Sequence, residues 1–182
     1  GPGPLGRGVA IPARVAPVPD AEPGGATLLV LAGSSSGVRP GAAVVRGWAL
    51  VGVTTAVGPW HSRAATPEDP TFRMRVLVAR PSGPDTPEIE TLLRGEVRAR
   101  RGGGLAWWPD RDGGPLIAGD RIWSAPGGLD LPKGLLLGRV AAPGPPDRPQ
   151  AFELQRPAGA GRRPAWVGVF RFADRSRSEG AP

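Results

Sequence analysis

The stretch GDRIWSAPGGLDLPKGLLLGRV, residues 119–140, has two readings, and the choice between them decides the fold and the chemistry. Ser124, followed by the glycine pair Gly127-Gly128, has the ingredients of a hydrolase nucleophile loop. The same residues also describe two β-strands joined by a shaped turn. On that reading Ile122-Trp123-Ser124-Ala125 ends a strand and Pro126-Gly127-Gly128 turn the chain. Pro132-Lys133-Gly134 then set up a second strand that bends at Gly138. Glycine inside a strand marks a bulge or a tight bend of the kind barrels need.

The plan occurs twice. PGAAVVRGWALVGVTTAVGP (40–59) and AGDRIWSAPGGLDLPKGLLLGRVAAPGP (118–145) each carry a turn glycine (Gly41, Gly119), then a short strand and a link. An apolar strand holding Gly52 or Gly138 follows, and each ends in Gly-Pro. Around them the apolar residues come as short runs, and Phe72-Met74-Val76-Val78 alternates strictly with Arg73 and Arg75 on the other face. The 29 Gly and 24 Pro are about twice the ordinary share and punctuate these runs. Asn is absent, so turns rely on Gly, Pro and Asp. One segment reads differently. TPEIETLLRG (86–95) offers Thr86 as N-cap, Pro87 at the first helical position, acids in the first turn and Gly95 as a stop, with Ile89, Leu92 and Leu93 on one face.

The expected fold is all-β: two small six-stranded β-barrels with chymotrypsin-like topology, and one short helix over 86–95. Residues 8–70 plus 150–173 form the first barrel and 71–149 the second. Residues 1–7 are a disordered arm or a cloning remnant, and 174–182 a disordered tail.

Tandem six-stranded barrels are the plan of chymotrypsin-like proteases, and the triad order His, Asp, Ser is available as His61, Asp69 or Asp85, and Ser124. The local chemistry argues against it. His61 sits in a Pro-flanked loop without an apolar frame, and Pro126 removes an N–H where an oxyanion hole needs donors. No phosphate-cradling loop, dinucleotide fingerprint or His-Glu metal motif is present. No catalytic residue, metal or cofactor is expected. With no Cys and one His there are too few ligands for an ordinary zinc site.

The net charge of +7 comes from 22 Arg and the single Lys133. These are scattered, apart from Arg98–Arg101 and GRRP (161–164), as on a solvated surface. Nucleic acid is therefore not an expected partner. A basic nucleic-acid-binding module remains an alternative resting on charge alone, and a periplasmic serine hydrolase an alternative resting on the fold.

Four blocks in order, LAGSSSGVRPGAAVV (31–45), ALVGVTTAVGPWHSRAATPEDP (49–70), LLRGEVR (92–98) and residues 119–140, resemble the rod shape-determining protein MreC family. The residues that carry the resemblance are Gly33, Gly37, Val38, Gly41, Gly52 and Gly95, then Gly119, Asp120, Pro132, Lys133, Gly134, Gly138, Arg139 and Val140. The resemblance implies an extracytoplasmic, non-enzymatic β-domain. It also implies a membrane helix and coiled coil upstream, which anchor the full-length protein in the cytoplasmic membrane. Further implied are self-association into dimers or filaments, and contacts with MreD, the MreB system and a penicillin-binding transpeptidase. Ser36 replaces the acid usual before Gly-Val, and the six Trp are unusual. Trp107 and Trp108 point to opposite faces of a strand, so either one is exposed at a protein interface or both are buried.

Overall fold

A computed structural model describes residues 8–18, 26–82, 89–101, 103–111, 113–125, 134–146, 149–158 and 164–172. The expected arm (1–7) and tail (174–182), together with Pro132 and Lys133, lie outside the described residues. The apolar runs form twelve strands: β1 (Gly8–Ala16), β2 (Thr27–Val30), β3 (Ala43–Arg46), β4 (Ala49–Val57), β5 (Ser62–Ala65) and β6 (Arg73–Pro81). Then follow β7 (Ile89–Ala99), β8 (Leu105–Pro109), β9 (Arg121–Ser124), β10 (Leu136–Pro143), β11 (Gln150–Gln155) and β12 (Trp166–Phe172). A 3-10 turn, Ser34–Ser36, is the only helical element among the described residues. The all-β expectation holds.

Pairing runs from β1 through β2, β5, β4, β3 and β12 back to β1, closing a ring of six strands. A second ring runs from β6 through β7, β8, β11, β10 and β9 back to β6. Closure removes the free edges that would template association with other strands. The rings meet where Leu136 of β10 pairs in parallel with Ala49 of β4, and the Leu136 N–H donates to the Trp48 carbonyl.

Two expectations are corrected. Residues 89–95, read as helix, belong to β7, which forms a nine-pair antiparallel ladder with β6; Thr86 and Pro87 lie outside the described residues. The inward set is Leu93, Gly95 and Val97, with period two, while Leu92 is 61% exposed. A helix cap contributes about 1 kcal/mol, and a long ladder that buries one face outweighs it. The other correction concerns β11, expected in the first barrel. It pairs with β8 and β10 of the second ring, and β12 alone returns to the first, between β1 and β3. A strand following another by a short connection pairs with it most often, and β10 to β11 is such a step.

Each ring encloses its own core. Val30, Val44, Val51, Val167 and Val169 fill the first, and Met74, Val78, Val97, Trp107, Ile122 and Leu137 the second. Strands β3 and β4 serve both. Val44 and Val51 face the first core, while Val45, Leu50 and Val53 join the cluster of the second. Burial on both faces is why this stretch reads as a continuous apolar run and not as an alternation.

The internal repeat is structural. Strands β3-β4-β5 correspond to β9-β10-β11, with Gly52 matching Gly138. Val51 and Leu137, one residue before each glycine, are skipped in the pairing with β3 and β9. Thr55 and Ala141, three residues after, are skipped in the pairing with β5 and β11. The corner bonds also match. Gly41 N–H donates to the Thr54 carbonyl and Thr54 N–H to that of Ala42; Gly119 N–H donates to the Val140 carbonyl and Val140 N–H to that of Asp120. Gly41 (φ 85°) and Gly119 (φ 94°) both occupy the left-handed region that favours glycine.

Candidate interaction surface

The three residues of the hydrolase reading serve separate local networks. Ser124 is fully buried at the end of β9, where its hydroxyl oxygen accepts the Leu135 N–H at 2.9 Å. Asp69 accepts from the Thr27 hydroxyl at 2.9 Å, and from the N–H and hydroxyl of Thr71 at 2.8 and 2.6 Å. His61 is exposed in the loop before β5, its carbonyl accepting the Gly58 N–H. Asp85 lies outside the described residues. Ser124 thus ties the β9 strand end to the start of β10, on the second of the two readings of residues 119–140.

The described residues of the family resemblance gather at three corners, except Gly95 in β7. Gly33, Gly37 and Val38 shape the 3-10 turn: Gly37 (φ 79°) donates to Ser34, and Val38 donates to Gly33 and buries in the first core. Gly41 and Gly52 form the β3–β4 corner. Gly119, Asp120, Gly138, Arg139 and Val140 form its counterpart in the second ring, with Gly134 (φ 88°) donating to the Ser124 carbonyl. Asp120, fully buried, receives a bidentate pair from Arg80 at 3.0 and 2.9 Å and the Ile117 N–H at 3.0 Å. Gly95 packs under Trp107: a methyl group there would sit 2.6 Å from the indole ring. The described glycines among them are packing and turn positions.

The exposed surface is where this molecule is unusual. Trp107 is fully buried, and its indole N–H donates to the Gly114 carbonyl at 3.1 Å. Trp108 points outward, 40% exposed, with the Arg98 guanidinium 4.8 Å from its ring centroid. Trp48 (54%), Trp60 (75%) and Trp166 (57%) are exposed too. Sequence reasoning singled out only the adjacent pair. Trp48 follows the positive-φ Gly47 in the β3–β4 turn, which is the signal that marks it as a tip residue. Trp166 lies opposite Arg14 on the outer face of β12 and β1, with the guanidinium 5.8 Å from the ring.

On the outer face of the second ring the register lines up Leu77 of β6, Trp123 of β9 and Leu136 of β10, all partly exposed. At the seam between the rings, Arg156 donates to the Leu50 and Val51 carbonyls at 3.1 Å and meets Glu68 at 3.4 Å. Burial pushes the Arg156 guanidinium below its ordinary value, with Glu68 pulling the other way. Burial pushes the Glu68 carboxyl up, but the Thr66 hydroxyl and then Arg156 outweigh it and hold the group below its ordinary value.

A family model described as rod shape-determining protein MreC, barrel core, matches residues 19–154. No curated protein matches the chain. Among solved structures, MreC of Listeria monocytogenes is 17% identical, with 92% of this chain and 77% of that chain covered and a TM-score of 0.69. The major periplasmic domain of the cell shape-determining filament MreC is 15% identical, covering 91% of this chain and 99% of that one, with a TM-score of 0.66. MreC from Helicobacter pylori, solved in complex with the penicillin-binding protein PBP2, is 10% identical, covering 92% and 99%, also with a TM-score of 0.66. At these identities the likeness is one of fold.

Proposed function

The chain belongs to the MreC family of rod shape-determining proteins, and from that premise we propose that it is an extracytoplasmic scaffold of the cell-elongation machinery. It associates with itself and holds membrane-embedded wall-synthesis proteins, a penicillin-binding transpeptidase among them, without catalysing a reaction of its own. The observation that carries this reading is the surface: four of the six tryptophans are 40–75% exposed. Tryptophan is enriched among the residues that carry the binding energy of protein interfaces. The fold neighbours supply the kinds of partner, being a shape-determining filament in one case and a PBP2 complex in another. Family membership supports contacts with MreD and the MreB system, and anchoring through a membrane helix, as parts of the same proposal. The two rings are read as two structural units, residues 8–70 with β12 and residues 71–155.

The experiment is direct. The chain is titrated against the extracytoplasmic part of the penicillin-binding transpeptidase from the same genome, and its own association is followed by sedimentation velocity. Saturable binding and concentration-dependent assembly, both weakened by Trp48→Ala or Trp166→Ala, are expected. A chain that stays monomeric and does not bind the transpeptidase refutes the proposal.

A further inference from the structure

Two arginines face one another on the outer side of the second ring. Arg121 of β9 is the register partner of Arg139 of β10. The next partners outward are uncharged, Ala79 on β6 and Gln155 on β11. Paired residues of neighbouring strands share a face, and like charges placed this way repel and lower stability. Arg121 and Arg139 wall a pocket of about 280 Å³ together with Leu136, Gly138, Arg156 and Pro157, and no carboxylate among the described residues lines it. Arg139 makes one long bond there, from Nε to the Gly119 carbonyl at 3.4 Å. Arg156 reaches Glu68 through one end of its guanidinium, but its buried Nε–H finds no acceptor among the described residues. Among the described lining residues three carry a guanidinium and none a carboxylate, which leaves the pocket positive, and Arg forks match carboxylates bidentately.

The apolar row lies immediately beside this pocket. Trp123 is two residues from Arg121 on the same face of β9, a step of about 6.6 Å along a strand. Leu136 belongs to both the row and the pocket. An isolated anion or a lipid head group would use the guanidinium groups and leave Trp123 and Leu136 in water. An extended peptide uses both, because its own alternate side chains repeat at the same step.

We propose that this surface docks an extended acidic segment of a partner protein, with a carboxylate between Arg121 and Arg139 and apolar side chains against Trp123 and Leu136. The inference rests on the scaffold reading above and specifies the chemistry of one of its contacts. A fluorescein-labelled peptide of alternating glutamate and leucine, and its glutamine-leucine counterpart, are titrated against the chain by fluorescence anisotropy. The acidic peptide is expected to bind about tenfold tighter. Arg121→Gln and Arg139→Gln are each expected to lose about that factor while melting at or above the parent's temperature, because each removes a repulsion. Equal affinity for the two peptides, variants that bind like the parent, or binding to phosphatidylglycerol vesicles without binding to the peptide would each overturn it. Transpeptidase binding is measured in parallel. A chain that binds the transpeptidase but not the peptide ends this proposal and keeps the scaffold, and the reverse result does the opposite.

Discussion

Trp107 and Trp108 are neighbours in sequence and opposites in environment, and the difference yields a test at single residues. Trp107→Ala empties the centre of the second core and is expected to cost about 3–5 kcal/mol in urea denaturation. Trp108→Ala, on the outer face, is expected to change stability by less than about 1 kcal/mol. Asp120 carries a second test. It and Arg80 are 40 positions apart, yet the register brings them into a bidentate pair with the carboxylate fully buried. Asp120→Ala removes the carboxylate that this partly buried guanidinium grips at both ends and is expected to cost about 3 kcal/mol. Arg80→Ala should cost a similar amount, and the double variant less than the sum; additive losses would dissolve the pair. Strand alternation is legible at residue scale, since it separates Trp107 from Trp108. Which of the two faces inward depends on the ring that β8 joins. The Asp120 partner was out of reach for the same reason: pairing between distant strands leaves no local trace.

At the scale of elements, glycines and bulges set the shape. Gly52 and Gly138 stand at matching positions of β4 and β10, each with a neighbouring backbone carbonyl 2.6 Å from where a methyl group would sit (Ala65 and Gln155, respectively). A backbone carbonyl held in a ladder does not yield as a side chain does. Gly52→Ala and Gly138→Ala are each expected to lower stability by about 2 kcal/mol, measured as a fall in the urea midpoint without a change in slope. A loss at only one would deny the equivalence of the two corners. This repeat could be read from the sequence because both copies keep their turn glycine, strand glycine and closing Gly-Pro in order. The segment 86–95 was misread because caps and acids are local signals, whereas β7 is stabilised by β6 and β8 on either side. The place of β11 was missed because composition does not say which ring a strand closes. The candidate surface was legible only in part, since the row Leu77–Trp123–Leu136 spans three strands and exists only once they are in register.

At the scale of the molecule, the question is how two rings act as one platform. Among the described residues they share little strand pairing, a single parallel contact between β10 and β4. Side chains do the rest. Leu50, Val53 and Phe170 of the first ring join the core cluster of the second, and Arg156, just after β11, reaches back to the Leu50 and Val51 carbonyls and to Glu68. This clamp makes stability depend on pH in a definite direction. The folded-state value of Glu68 lies below its ordinary one, so its contribution is fully present above about pH 4.3. That contribution is lost as the pH falls through the folded-state value, where the folded protein takes up the proton. Arg156 stays charged throughout, its lowered value notwithstanding. Glu68→Gln is therefore expected to be less stable than the parent at neutral pH. The deficit should stay under about 1 kcal/mol because the carboxylate is partly solvated. Once the pH is below the folded-state value of Glu68 the two curves should converge. Urea unfolding at several pH values reads this directly, and a deficit that stays constant into acid would mean that Glu68 matters for its shape and not its charge.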